Sequence, residues 1–245
     1  ERNDFVNTTA TDLIKRIRFN NDLYTYGSGF SLQLGAILKP IKEIRLGVSY
    51  QSPTWYKLND ELKQGISTVS GNNIGELPQD NVNPDITIIY PVYKLQTPGK
   101  LTGSFAYIFG KKGLLSFDYS LKNYGNSAFS PKNDEIFQSL NNSLTLHSRE
   151  KASEYRVAGE YKIKQFSLRG GYHFEQSPYK NATTIGNLTG YSGGIGFNFG
   201  NKKLDLAYST SKRDSNQQFF SQGFTDAAKI NTTNNNVTLT FALEL

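Results

Sequence analysis

Tyr155-Arg-Val-Ala-Gly-Glu-Tyr-Lys-Ile163, then Lys164-Gln165, then Phe166-Ser-Leu-Arg-Gly-Gly-Tyr-His-Phe-Glu175 decides the fold of this chain. Tyr155, Val157, Tyr161 and Ile163 alternate with Arg156, Ala158, Glu160 and Lys162, and Phe166, Leu168, Tyr172 and Phe174 alternate with Ser167, Arg169, His173 and Glu175. A period of two places one residue set on each face of a strand, so each segment reads as a strand with one apolar and one polar face. The two-residue gap joins them as a hairpin.

The same pattern extends in both directions. Upstream it covers Phe30–Leu38, Ile44–Tyr50, Leu101–Phe109 and Leu115–Leu121; downstream it covers Tyr191–Phe199, Leu204–Tyr208 and Val237–Leu245. That makes about nine strands. They are long, roughly 10 to 15 residues, which suits a tilted crossing of a hydrocarbon layer. Tyr and Phe cluster near the strand ends, as an aromatic girdle requires, and the chain holds 15 Tyr and 16 Phe against one Trp. A soluble sandwich also alternates; strand length and the placement of aromatics favour an antiparallel transmembrane β-barrel. There is no run of 18 or more apolar residues for a membrane helix, and mean hydropathy is only −0.51. Strands escape that measure because only every second residue meets lipid.

Composition removes other classes. The chain has no cysteine, hence no disulfide framework or thiolate metal site. The net charge of +6 comes from 27 basic and 21 acidic residues scattered without a block, which argues against a nucleic-acid surface.

The connections alternate between short and long. Lys39–Lys42, Gly110–Gly113, Lys164–Gln165 and Gly200–Lys202 read as tight turns, and 57–88, 125–147, 179–187 and 215–231 as long polar loops. Outer-membrane barrels put short turns in the periplasm and long loops outside. On that parity 90–110 is one strand crossing Pro98-Gly99, with a bulge or kink at Pro98 because proline has no N–H to give the ladder. Residues 1–26 are then an extracellular loop and Leu245 ends in the periplasm, the whole chain being one partial barrel domain. An odd number of further strands is expected before Glu1, since such barrels have even strand counts.

Several stretches carry a resemblance. Gly27-Ser-Gly-Phe-Ser-Leu-Gln-Leu-Gly-Ala-Ile-Leu-Lys-Pro40, Ile44-Arg-Leu-Gly-Val-Ser-Tyr-Gln-Ser-Pro-Thr-Trp-Tyr56, Leu168-Arg-Gly-Gly-Tyr-His-Phe-Glu-Gln-Ser-Pro178 and Leu204-Asp-Leu-Ala-Tyr208 follow one another in an order and spacing that resembles the C-terminal part of the FadL family of outer-membrane transport proteins, in a version like those of the Bacteroidetes. The resemblance implies a barrel of about fourteen strands with an N-terminal hatch, five strands and the hatch preceding Glu1. It implies that 1–26 and 57–88 are the third and fourth extracellular loops, which hold the groove where a hydrophobic ligand lands. It implies passive, ligand-gated uptake of hydrophobic small molecules such as long-chain fatty acids, with no cofactor. Leu245 departs from the usual aromatic C-terminal residue.

In the first loop, Asp12 is a possible N-cap for a short amphipathic helix over Thr11–Arg18 carrying Leu13, Ile14 and Ile17. With Phe5, Phe19, Leu23 and Tyr24 these form one wall of a groove; Trp55, Leu58, Leu62, Ile66, Val69, Ile74 and Leu77 form the other. The alternative is that each loop buries them in a small core of its own. The polar strand face carries Arg45, Asp118, Arg156, Glu160, Lys162, Arg169, His173, Glu175, Asp205 and Glu244. These face the lumen, because a charge turned to lipid costs roughly 2–4 kcal/mol at mid-membrane. Arg156 or Arg169 is a candidate to hold a fatty-acid carboxylate; the plainer reading is a charge-paired lumen. His147 and His173 accompany no serine motif and make no metal site at their spacing, so neither catalysis nor a metal is expected. Expected partners are the hydrophobic ligand, outer-membrane lipid and lipopolysaccharide. A protein partner on the long loops belongs to an alternative reading of the fold, a secretion-associated structural barrel; a general porin, with an open ion-conducting pore, is the other alternative.

Overall fold

The computed structural model describes residues 2–5, 14–70, 81–82, 87–218 and 226–243. They fall into two compact units, one from residues 1–29 and 56–95, the other from 30–55 and 96–245.

The larger unit is a nine-stranded antiparallel sheet. Its strands are β1 (Gln33–Leu38), β2 (Ile44–Gln51), β3 (Gly99–Ile108), β4 (Gly113–Asn123), β5 (Lys151–Ile163), β6 (Phe166–Glu175), β7 (Ile185–Asn198), β8 (Lys202–Gln217) and β9 (Ala228–Leu243). Each strand pairs with its predecessor in the chain, a plain meander with β1 and β9 at the two edges. The expected nine strands and four tight turns are all present.

Register keeps the two faces separate. Across the sheet Leu46, Phe105, Phe117, Val157, Tyr172 and Tyr191 stand opposite one another on one face. On the other face runs a row of Arg45, Ala106, Ser116, Ala158, Gly171, Ser192 and Ser209. The apolar row is open to its surroundings: Phe105 and Phe117 are each 41% exposed and Tyr191 62%. Among the described residues Ala152 is the one buried hydrophobic. A soluble sandwich would bury this face against a second sheet, and a continuous apolar surface of this size belongs in lipid. Along β3 the polar-face residues are the more covered set, as the inner side of a curved wall would be. No helix among the described residues is long and apolar enough to cross a membrane.

The turns are set locally. At 109–112 Phe109 N–H donates to Gly113 O and Lys112 N–H to Phe109 O, both 2.9 Å, around Gly110 at φ +57°. Gly200 takes φ +95°, a conformation that penalises any side chain. Arg45 donates to the carbonyls of Ile41, Lys42 and Ile44 and so holds the first turn.

Four expectations need correction. The segment 90–110 is two strands, Tyr93–Gln96 and β3, separated at Thr97-Pro98. Thr97 N–H instead donates to Thr54 O at 3.0 Å, and the break is the interruption that a proline without N–H forces. The stretch 125–147 is not plain loop: it carries α1 (Glu135–His147). Asp134 caps α1 by accepting from Ile136 N–H at 2.9 Å and Phe137 N–H at 3.1 Å. Asn141 ties the helix back to both backbone groups of Phe129, whose ring stacks on Phe137 at 5.8 Å. The helix expected over 11–18 is absent where it can be seen, since Ile14–Phe30 is one strand; 11–13 lie outside the described residues. Finally, 14–26 and 57–70 are not loop either: Ile14–Phe30 and Trp55–Ser70 are neighbouring strands of the smaller unit's sheet. There their backbone groups pair with each other, which a helix of about two turns could not match.

Candidate functional site

On the polar face of the large sheet two groups of charges form. The first centres on Glu154, whose side chain is 2% exposed. Lys100 donates to it at 2.8 Å, Lys122 lies at 4.0 Å, His173 Nε2 at 3.3 Å, and Arg156 pairs with its other oxygen. Lys122 also bonds Glu175 at 3.0 Å, and Arg213 approaches the same carboxylate at 3.5 Å. The strands explain the convergence: Glu154 stands opposite Ser120 and Glu175, and Ser120 opposite Thr102, so residues one step away arrive from β3, β4 and β6. Burying one carboxylate is tolerable because several cations compensate it. Tyr124 lies beside this group beyond the end of β4, and burial raises its phenol above the ordinary value.

The second group is nearer the tight turns. Arg169 Nε donates to Glu160 at 2.8 Å while its Nη1 donates to Asp205, and Lys162 meets Glu160 at 3.3 Å. The guanidinium of Arg169 is therefore clamped between carboxylates on β5 and β8. Gly196 stands between them on β7, where an added Cβ would collide with the Asp205 carboxylate.

The two arginines expected to meet a ligand thus differ. Arg169 is spanned by two anions. Arg156 has one carboxylate partner, is 54% exposed, and lines an open concavity with Gln51, Lys100, Thr102, Asp118 and Ser120. Sequence reading missed Lys100, Lys122, Glu154 and Arg213. All four have the polar parity of their strands; the expected strand ends stop short of Lys122, Glu154 and Arg213, and Lys100, inside the expected strand 90–110, directly follows Pro98-Gly99. Glu244 lies outside the described residues.

In the smaller unit, hydrogen bonds Gln64 to Asn21 (3.1 Å) and Thr25 to Asp60 (2.7 Å) set one antiparallel register between Ile14–Phe30 and Trp55–Ser70. In that register Phe19 comes near Ile66 and Leu23 near Leu62 on one face. Ile88 adds to that row, since it pairs with Leu62. Phe19, Leu23, Ile66 and Ile88 are 37%, 58%, 40% and 46% exposed, so this open face carries apolar side chains interleaved with the Asn21–Gln64 and Thr25–Asp60 pairs. Trp55 belongs to the larger unit, where it stacks on Phe30 at 6.5 Å and donates from Nε1 to Gln96 at 3.1 Å. Phe5 and Ile17 are described by backbone alone, paired to Arg16 and Asp4 in the smaller sheet. Leu13 lies outside the described residues.

No family model and no curated protein sequence matches this chain. Solved structures do match. Two crystal structures of the Pseudomonas putida toluene transporter TodX align with TM-score 0.52 at 15% identity, covering 89% and 94% of this chain and 50% and 54% of theirs. A Pseudomonas aeruginosa FadL homologue aligns with TM-score 0.53 at 13% identity, covering 97% of this chain and 65% of its own. The chain spans about half to two thirds of the length of these structures and shares the fold of their barrels.

Proposed function

We propose that the chain forms part of an outer-membrane channel that takes up hydrophobic small molecules, long-chain fatty acids among them, by passive diffusion. The two-faced nine-stranded wall carries the reading. Its apolar face suits lipid, its inner face is charged and paired, and its fold is shared with TodX and the FadL homologue. The tight turns and the last strand's end are assigned to the periplasm.

The open face with Phe19, Leu62 and Ile66 supplies the first contact, together with Phe5, Leu13 and Ile17. Attraction there is apolar burial, about 25 cal/mol per Å². Inside, Arg156 is the group assigned to an anionic headgroup, because it combines exposure with incomplete pairing. Arg169 is assigned to holding β5 and β8 in register. Movement is downhill, so no energy-supplying cofactor is part of the proposal.

The test is binding of a labelled long-chain fatty acid to the detergent-purified full-length protein, with unlabelled fatty acid and toluene as competitors. Saturable, competed binding that weakens in Phe19→Asp and Ile66→Asp supports the reading. Absence of binding, with a protein partner co-purifying, favours a structural barrel; steady ion conductance without binding favours a general porin.

A further inference from the structure

The four short turns of the large sheet lie along one rim, and each holds two lysines in the turn or at the strand end beside it: Lys39 and Lys42, Lys111 and Lys112, Lys162 and Lys164, Lys202 and Lys203. All eight are exposed. Glu43 is the one carboxylate within these turns. Lys162 reaches Glu160 at 3.3 Å. Among the described residues Lys39, Lys42, Lys111, Lys112, Lys164 and Lys202 have no ion-pair partner. The opposite ends of the same strands mix signs, with Lys132, Asp134, Glu135, Arg149 and Glu150 close together in the chain.

Directly beside these turns the apolar face is aromatic. Tyr107 meets Phe109 edge-on at 4.8 Å, Phe166 meets Phe197 at 4.7 Å, and Phe197 meets Phe199 at 4.5 Å. Such a belt marks the level where hydrocarbon gives way to headgroups. The lysines of the last three turns stand two to four residues from these rings in the chain, and their flexible stems reach sideways along apolar surface. Turn centres two strands apart repeat at about 10 Å, near one Debye length in physiological salt, so the lysine pairs repel unless anions lie between them.

We propose that this rim is a collar for anionic glycerophospholipids: the phosphates of the leaflet that meets the short turns sit between the lysine pairs, with acyl chains against the aromatic belt. The inference does not rest on the uptake reading.

The test uses the full-length protein in nanodiscs of phosphatidylcholine with a minor share of phosphatidylglycerol. Lipids retained after gentle detergent extraction are counted by native mass spectrometry. Each lysine–headgroup contact favours the anionic lipid by about fivefold, so retained phosphatidylglycerol is expected several-fold above its bulk share. The variant K39Q/K42Q/K111Q/K112Q should fall toward the bulk share, the matching Lys→Arg variant should keep the enrichment, and K132Q/K151Q/K212Q/K229Q at the opposite end should not change it. Retention at the bulk share in the unaltered protein overturns the proposal. So does equal loss in the opposite-end control, or displacement of the retained phosphatidylglycerol by purified lipopolysaccharide.

Discussion

Replacing Glu154 by Gln should loosen the wall more than any other single loss of charge on its polar face. The substitution keeps shape and one acceptor but removes the anion that Lys100, Lys122, Arg156 and His173 approach. Breaking a fully buried pair costs about 3–5 kcal/mol, whereas an exposed pair is worth about 1 kcal/mol or less. Here the anion is 2% exposed but its cations Lys100, Lys122 and Arg156 are 23%, 26% and 54% exposed, so water recovers part of the loss. The expected cost is about 2 kcal/mol, between those limits, or roughly a thirtyfold shift in the unfolding equilibrium. Glu175→Gln, with a carboxylate 18% exposed and two cation partners, should cost about half as much. The assay is guanidinium unfolding of the full-length protein in vesicles, followed by heat-modifiable gel mobility. A double-mutant cycle with Lys100→Met should return a coupling of about 1 kcal/mol. A loss below about 0.5 kcal/mol for Glu154→Gln, or one no larger than for Glu175→Gln, would refute the reasoning.

Arg169→Met should leave Glu160 and Asp205 facing each other and cost about 1–2 kcal/mol, discounted because Arg169 is 41% exposed; adding Asp205→Asn should restore part of it in the same unfolding assay. Asp134→Ala removes the acceptor for Ile136 and Phe137 N–H and should cost the helix about 1 kcal/mol, seen as faster amide exchange in its first turn. Phe117→Arg should destabilise by about 2–4 kcal/mol in vesicles, while Ser116→Arg, one residue away on the other face, should stay well below that.

The wall was legible because lipid enforces alternation. Phe105 and Tyr107, or Leu115 and Phe117, cannot change parity without turning a charge such as Asp118 toward hydrocarbon. Where that constraint ends, the reading weakened. Asn20-Asn21-Asp22 interrupt the pattern inside Ile14–Phe30. That strand is held by backbone pairing and by bonds such as Asn21 to Gln64, which hydropathy does not reveal. The helix at Glu135–His147 did have a signal, Asp134 as cap and Phe137, Leu144 and Ile136, Leu140 at helical spacing, but it sat inside a polar stretch. The Glu154 cluster was half visible: Arg156, His173 and Glu175 were placed on the correct face. Lys122 and Glu154 fell beyond strand ends set by the last large apolar residue, and Lys100 directly follows Pro98-Gly99, where the pattern is interrupted. The turn lysines looked scattered along the chain, and only the meander brings them to one rim.

The central claim, one face of the sheet in lipid and the other lining the barrel, is tested most directly by a cysteine scan along β4. The chain contains no cysteine, so within it each introduced thiol reports alone, and any cysteine elsewhere in the full-length protein is first replaced by serine. Single cysteines at 114 to 120 in the full-length protein, reconstituted in vesicles, are treated with a membrane-impermeant maleimide and with a brominated-lipid quencher of an attached probe. The account predicts a period of two: Leu115, Phe117 and Tyr119 positions quenched by lipid and slow to label, Ser116, Asp118 and Ser120 positions the reverse. Uniform labelling, or quenching without alternation, would contradict it.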